Sequence, residues 1–252
     1  MADQWQWPNG QQAAVSLSYD DALAVHREET APQLEERGLR GTFYVPINAD
    51  LLEHRDAWVR VAQAGHELGN HTIFHPCRNP NNARAWPPPH RNLCDYTPAR
   101  WEDEVCVASL ILKSYDGRTV RSFGNTCCNL TLGEGENEVE LDDLIARHFV
   151  AGRGGTTNEP ADPRTVRLTR VGCFAADGQT FGDLRQAIDA AMKIGGWLIF
   201  MAHGVGTDHR LQISREVHQQ LIDYLAENSK AIWTAPVVDV AQYVVAARGQ
   251  QG

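Results

Sequence analysis

The sequence predicts an α/β fold in which parallel strands are wrapped by helices, and three observations carry that expectation. Short β-prone runs alternate with segments of helical spacing in the first third of the chain, the βαβαβ rhythm of a parallel sheet. A late run, Trp197 to Ala202, is almost continuously apolar, which suits a strand buried on both faces. The length, 252 residues with 42% hydrophobic, suffices for one sizeable core, and α/β barrels of this size are routinely single domains. One domain over 1–252 is expected, with its core between about 13 and 244.

In chain order, Val15, Leu17 and Tyr19 alternate with Ser16 and Ser18, predicting a strand that ends at Asp20 and Asp21. Ala22 to Arg37 reads as a helix closed by Gly38. Thr42 to Val45 is a second strand, Asp56 to Ala64 a short helix and His66 to Gly69 a third strand. Cys77 to Tyr96, with Trp86-Pro87-Pro88-Pro89, is neither helix nor central strand and predicts a long loop. Thr97 and Pro98 form an N-cap and first-turn pair for a helix to about Tyr115, ending at Asp116-Gly117. Arg118 to Phe123 is expected as the next strand, Gly133 to Glu140 as a mobile or acidic loop, and Leu141 to Arg147 as a short helix. His148 to Ala151 then reads as a strand ended by Gly152-Arg153-Gly154-Gly155. After an irregular Thr156 to Arg170 comes a short run, Val171 to Phe174. Thr180 to Ile194 places Phe181, Leu184, Ile188, Ala191 and Met192 at helical spacing before Gly195-Gly196. Arg215 to Glu227 is a further helix, Ile232 to Thr234 a strand, and Pro236 opens a last helix to about Ala247.

A formal charge of −9 argues against nucleic acid or an anionic membrane as the main partner, since tracking phosphates needs clustered Lys and Arg. Neutral or cationic ligands fit better. The first residues show no basic segment followed by an apolar run, and nowhere do 18 apolar residues follow one another, so a soluble, cytoplasmic protein is expected. The six cysteines show no CxxC spacing; free buried thiols are the default, with Cys77 and Cys94, which bracket the long loop, as a pair that could close.

Chemistry concentrates at two places. Adjacent acids at a strand end point in different directions, so one of Asp20 and Asp21 can ligate a metal while the other handles a proton. His71 and His75 follow a strand at a spacing of four, which in a helical turn puts both imidazoles on one side. An Asp with two His and open positions suits a catalytic divalent ion such as Zn²⁺.

With these residues in view, Ser18-Tyr19-Asp20-Asp21-Ala22 resembles the TFDDG motif of the polysaccharide deacetylases, the NodB-homology or carbohydrate esterase family 4 domain. His71-Thr72-Ile73-Phe74-His75 resembles the same family's H-[ST]-x-x-H. The resemblance implies a distorted (β/α) barrel and a metal-dependent hydrolase that removes N-acetyl groups from amino-sugar oligo- or polysaccharides such as chitooligosaccharides or peptidoglycan. It implies Asp21, His71 and His75 as ligands of one divalent ion, zinc first, with cobalt, nickel or manganese as alternatives, and Asp20 as general base. Arg121 matches the Arg of the third motif, R-x-P-Y, whose role is to orient the catalytic Asp. The Pro and Tyr are missing, leaving the Gly124 and Asn125 amides as candidate oxyanion donors. The fourth motif, DxxDW, is absent; Asp177 could take over orienting the acid histidine. His203 after the apolar run resembles the histidine of the fifth motif, LxH, with Met201 in the Leu position, and implies the general acid. Trp86 is a candidate sugar-stacking platform. Two other functions compete: hydrolysis of a non-sugar C–N bond, and an inactive carbohydrate-binding module. Retention of Asp20, Asp21, His71, His75, Arg121 and His203 argues against the latter, because binding alone needs no acid, base and metal together. Oligomeric state leaves no trace in the sequence.

Overall fold

The alternation at Val15, Leu17 and Tyr19 does build a strand, but both of its faces are buried: every residue of β1 (Ala13–Asp20) is inaccessible. Ser16 and Ser18 are tolerated there because each has a partner, Ser18 donating to the Phe200 carbonyl (2.7 Å) and Ser16 accepting from the Trp197 indole (3.0 Å). The computed structural model describes residues 5–207 and 209–249.

The strands in chain order are β1, β2 (Thr42–Val45), β3 (Glu67–Asn70), β4 (Ser122–Gly124), β5 (Thr131–Leu132), β6 (Val139–Glu140), β7 (Ala151–Thr156), β8 (Val171–Ala175), β9 (Trp197–Ala202), β10 (Gly204–Val205), β11 (Gln212–Ile213) and β12 (Ile232–Thr234). The helices are α1 (Ala31–Glu36), α2 (Ala49–Glu53), α3 (Arg55–Gln63), α4 (Pro98–Asp116), α5 (Asp142–His148), α6 (Phe181–Ile194), α7 (Arg215–Glu227) and α8 (Val237–Gly249). The main sheet runs β12-β1-β2-β3-β4-β7-β8-β9, all parallel, and β9 pairs back onto β1. Seven strands thus close into a barrel, with β12 attached outside the closure on β1. The closing ladder is long, six residue pairs from Ala14↔Trp197 to Tyr19↔Ala202. Among the described residues no helix is long and apolar enough to cross a membrane.

Closure leaves polar groups inside the barrel, among them one fully partnered carboxylate. The buried Glu67 carboxylate accepts from Thr42 Oγ1, from the Ser122 amide and hydroxyl, and from the Val238 amide at the start of α8, all at 2.7–3.0 Å. Outside the barrel, Leu34, Trp58, Leu184, Ile188, Leu221 and Ile222 of the helices cover the sheet.

Three elements depart from the sequence expectation. The predicted Ala22–Arg37 helix is a five-residue π turn, His26–Thr30, followed by α1. Pro32 has no amide hydrogen and its ring crowds the preceding turn, so the chain widens to an Ala31 N–H bond to the His26 carbonyl. The strand expected over Arg118–Phe123 is only Ser122–Gly124, because Asp116 and Arg121 pair across the preceding turn. The glycine-rich run read as a strand end is itself β7. A Cβ on Gly152 would stand 2.5 Å from the Thr169 carbonyl, so glycine there lets the Leu168–Arg170 turn lie directly on the strand.

Candidate active site

The site is built around the C-terminal ends of the barrel strands, where parallel α/β folds gather side chains from several elements. Asp20 closes β1 and Asp21 follows it with φ of +82°, Ala22 with +49°. Such conformations are costly for residues with a Cβ and cluster where the geometry serves a site. Asp21 is held by its amide on the Tyr44 carbonyl (3.1 Å) and by Asn48, whose side chain donates to the Asp21 carbonyl (2.9 Å).

His71 and His75 are not on a helical turn. The segment after β3 is irregular, with Thr72 at φ +67° and His75 at +51°, and these left-handed residues achieve what helical spacing was expected to do. The His71 and His75 ring centroids lie 4.7 Å apart. His71 Nδ1 donates to the Gly124 carbonyl (2.7 Å), which fixes the tautomer and leaves Nε2 as an acceptor. That Nε2 is buried without a hydrogen-bond partner, 3.7 Å from Asp21 Oδ1 and 3.8 Å from Asp20 Oδ2. His75 Nε2 is 3.2 Å from the same Asp21 oxygen. One ligand atom each from Asp21, His71 and His75 lies within 4.8 Å of the others. Burial brings His71 down to about 4, so its imidazole is neutral near pH 7. A buried lone pair with nothing to accept, facing a carboxylate and a second imidazole, is a donor set that fits a divalent cation.

The loop bearing both histidines is clamped by a residue that no sequence motif marked. Glu104 on α4, itself buried, accepts from the amides of Ile73 (3.1 Å) and Phe74 (2.9 Å) and from the Tyr96 hydroxyl (2.9 Å). Glu104→Ala is expected to weaken divalent-metal affinity about 10–100-fold, the usual effect of losing a group that orients ligands. Glu104→Gln, which keeps the acceptor oxygen, should restore most of it. Chelator competition measures both, and unchanged affinity in the alanine variant would count against the clamp.

Asp20 is oriented by Arg153, not by Arg121. Arg153 on β7 is fully buried and grips both carboxylate oxygens, Nη1 to Oδ1 at 2.7 Å and Nη2 to Oδ2 at 2.6 Å, while its guanidinium lies over the Tyr44 ring. Arg121 turns away to Asp116 (2.6 and 2.7 Å) and the Leu68 carbonyl (2.8 Å) because it precedes β4 rather than ending it. Burial pushes Asp20 up, but the charge and hydrogen bonds of Arg153 outweigh this and hold it below the usual carboxylate range. Asp20 is therefore ionised. Asp21 is likewise held low, against burial, by the hydrogen bond and charge of His75.

His203 follows β9, the strand beside β1. Asp177, after β8, accepts from the His203 amide (3.0 Å) and from Nδ1 (2.6 Å), so Nε2 is the nitrogen left to face the cleft. His26 fixes the other side: Nδ1 accepts from the Leu23 amide, and Nε2 therefore donates to the His203 carbonyl (2.7 Å). Burial alone would lower His203, but the Asp177 bond and the charges of Asp20, Asp177 and Asp21 raise it to about 9.

These walls enclose a cleft of about 560 Å³ lined by Asp20, Asp21, His75, Trp86, Met201 and His203, among others. Trp86 is half exposed, with its ring 5.7 Å from that of His75. Of the two amides proposed for an oxyanion, that of Asn125 is occupied by the Arg153 carbonyl (3.1 Å), which the Asn125 side chain also reaches (3.0 Å). Gly124 meets the site through its carbonyl on His71, and a Cβ on Gly124 would stand 2.7 Å from the Tyr44 ring. Cys77 pairs with Cys127 and not with Cys94, which is buried and free. The chain crosses between these two places because Cys77 follows His75 and Cys127 lies in the turn after β4, on adjacent strand ends.

Residues 8–125 match the family described as polysaccharide deacetylase. Over these residues, somewhat under half of its length, the chain is similar to that family. The barrel is that family's fold: a polysaccharide deacetylase family protein from Mycobacterium smegmatis superposes with a TM-score of 0.67 at 15% identity, over 97% of this chain and 94% of that one. The peptidoglycan deacetylase PdaC of Bacillus subtilis gives 0.54 at 14% identity, over 97% and 96%. A family 4 acetyl xylan esterase from Clostridium thermocellum, solved with a cobalt ion, gives 0.54 at 15% identity, over 91% of each chain. By sequence, a gellan lyase from a Bacillus species is 23% identical over 94% of this chain, which spans only 10% of that protein.

Proposed function

We propose that this protein is a member of the polysaccharide deacetylase family and a divalent-metal-dependent hydrolase that removes N-acetyl groups from an amino-sugar oligo- or polysaccharide. The observation that carries this reading is the joint facing of three prepared groups in one cleft: an ionised Asp20, the Asp21-His71-His75 donor set, and a His203 poised to carry a proton. The peptidoglycan deacetylase among the similar structures supports an N-acetylated sugar as the substrate class.

Asp21, His71 and His75 would hold the ion. When bound, a divalent ion there supplies Lewis acidity, which makes water easier to deprotonate near neutral pH and polarises a carbonyl. Asp20, kept ionised and aimed by Arg153, takes the proton of the water that attacks the acetamide carbon. His203 Nε2–H then protonates the departing nitrogen as the C–N bond breaks. Acetate and a free amine leave. Trp86 at the rim offers an aromatic face to a sugar ring.

The test is metal analysis of the purified protein together with acetate release from a panel of N-acetylated sugars and small non-sugar amides. One divalent ion per chain is expected, lost in His71→Ala, with acetate released from N-acetylglucosamine oligomers. Stoichiometric metal in His71→Ala would overturn the ligand set. Turnover confined to the non-sugar amides would overturn the substrate class.

A further inference from the structure

The same cleft has a wall of sulfur that the deacetylation chemistry leaves unused. Three elements bring it together: Cys128 in the turn after β4, Cys173 on β8 and Met201 on β9. The Cys128 thiol lies 3.7 Å from Met201 Sδ, and the Cys173 thiol lies 4.0 Å from the same atom. Both thiols are free. Cys173 is fully buried, whereas Cys128 and Met201 line the cleft and are reached from it.

Both separations match those between sulfurs that share one ion. Three sulfurs arranged in a plane around one ion, with bonds of about 2.3 Å as in zinc thiolates, stand about 4 Å from one another. Two thiols and a thioether are soft donors, and soft donors select Cu(I) over the harder divalent ions that a carboxylate and two imidazoles favour. The nearby Asp20 carboxylate does not compete for such an ion, because Arg153 holds both of its oxygens.

We propose that Cys128, Cys173 and Met201 form a second metal site that takes Cu(I) in three-coordinate sulfur geometry on the wall of the catalytic cleft. Binding changes no oxidation state: the ion exchanges its carrier ligands for the three sulfurs, and protons of the two thiols pass to solvent. The site is independent of the deacetylase reading, since it shares no ligand with Asp21, His71 and His75.

The experiment is an anaerobic Cu(I) titration of the metal-loaded full chain against the coloured chelator bicinchoninate, without thiol reductant so that the Cys77–Cys127 disulfide persists. One Cu(I) retained per chain is expected, with the divalent-metal content unchanged. Cys128→Ser and Cys173→Ala should each lose retention, Met201→Leu, which conserves volume, should weaken it, and Cys94→Ser and Cys106→Ser should leave it intact. Copper X-ray absorption of the wild-type complex, which depends on no variant folding, should show a first shell of sulfur alone. Failure of the wild type to hold Cu(I) against the chelator, retention at the wild-type level by Cys128→Ser or Cys173→Ala, or a nitrogen and oxygen shell would each overturn the proposal.

Discussion

His203→Ala is expected to slow deacetylation of an N-acetyl sugar by about 10²–10⁴-fold, the usual worth of general acid–base catalysis, with no change in bound metal. An amine anion cannot depart unassisted in water, so an ordinary amide depends on the acid. An activated acetate ester carries its own good leaving group and should lose far less. Equal losses on both substrates would mean that His203 is structural and that the proton comes from elsewhere. The acid also leaves a signature in pH. His203 is raised to about 9 and acts in its protonated form, so kcat/KM should fall as pH climbs through about 9. Asp177 contributes both a hydrogen bond and a charge to that rise. In Asp177→Asn the alkaline limb should therefore move to lower pH, and an unmoved limb would separate it from His203.

Arg153→Met is expected to destabilise the fold by about 3–5 kcal/mol, as removing one partner of a buried ion pair does. Asp20 would lose the buried cation that holds both of its oxygens, and the His71 imidazole 3.8 Å away is neutral. Chemical denaturation reads the loss, and pairing the change with Asp20→Leu should recover part of it. Arg121→Met also breaks a buried pair, with Asp116, and should cost stability too. The two differ in what they do to surviving activity. Arg153 holds the Asp20 carboxyl low, and the base works ionised, so losing Arg153 should move the acid limb of the rate profile to higher pH. Arg121→Met should leave that limb in place. The reverse pattern would return the orienting role to Arg121.

The contrast between these two arginines shows how far the site was legible in the sequence. Asp20, Asp21, His71 and His75 were readable because acids at a strand end and closely spaced histidines are local patterns. Arg121 was readable only by position in a motif, and the structure assigns its place to a residue on a strand that composition disguised. Gly152, Gly154 and Gly155 look like a loop, since glycine weakens strands in isolation. They form β7 because the Leu168–Arg170 turn presses onto it, a contact made between segments and invisible within either. Glu104 and His26 were missed for a related reason: each acts on the backbone of a distant segment, and nothing in its own neighbourhood announces that. Asp177 was nameable because it lies between the short Val171 to Phe174 run and the next helix, at what reads as a strand end. The π turn at His26–Thr30 was hidden by reading helical spacing without weighing Pro32. The order of strands around the barrel follows the chain, which is why a parallel sheet wrapped by helices could be expected from alternation, its closure being what the family resemblance implied.

The ladder that joins β1 to β9 also sets when the site comes into being. Asp20 emerges early in synthesis and His203 late, yet they end on neighbouring strands held by six consecutive residue pairs. A nascent chain that has reached only the region matched by the family carries Asp20, Asp21, His71 and His75, but lacks Arg153, Asp177 and His203. It could gather a cation and still have no proton to give. Contacts between such distant parts of a chain form slowly, after nearer ones. Under the proposed function, competence for hydrolysis would therefore wait for barrel closure.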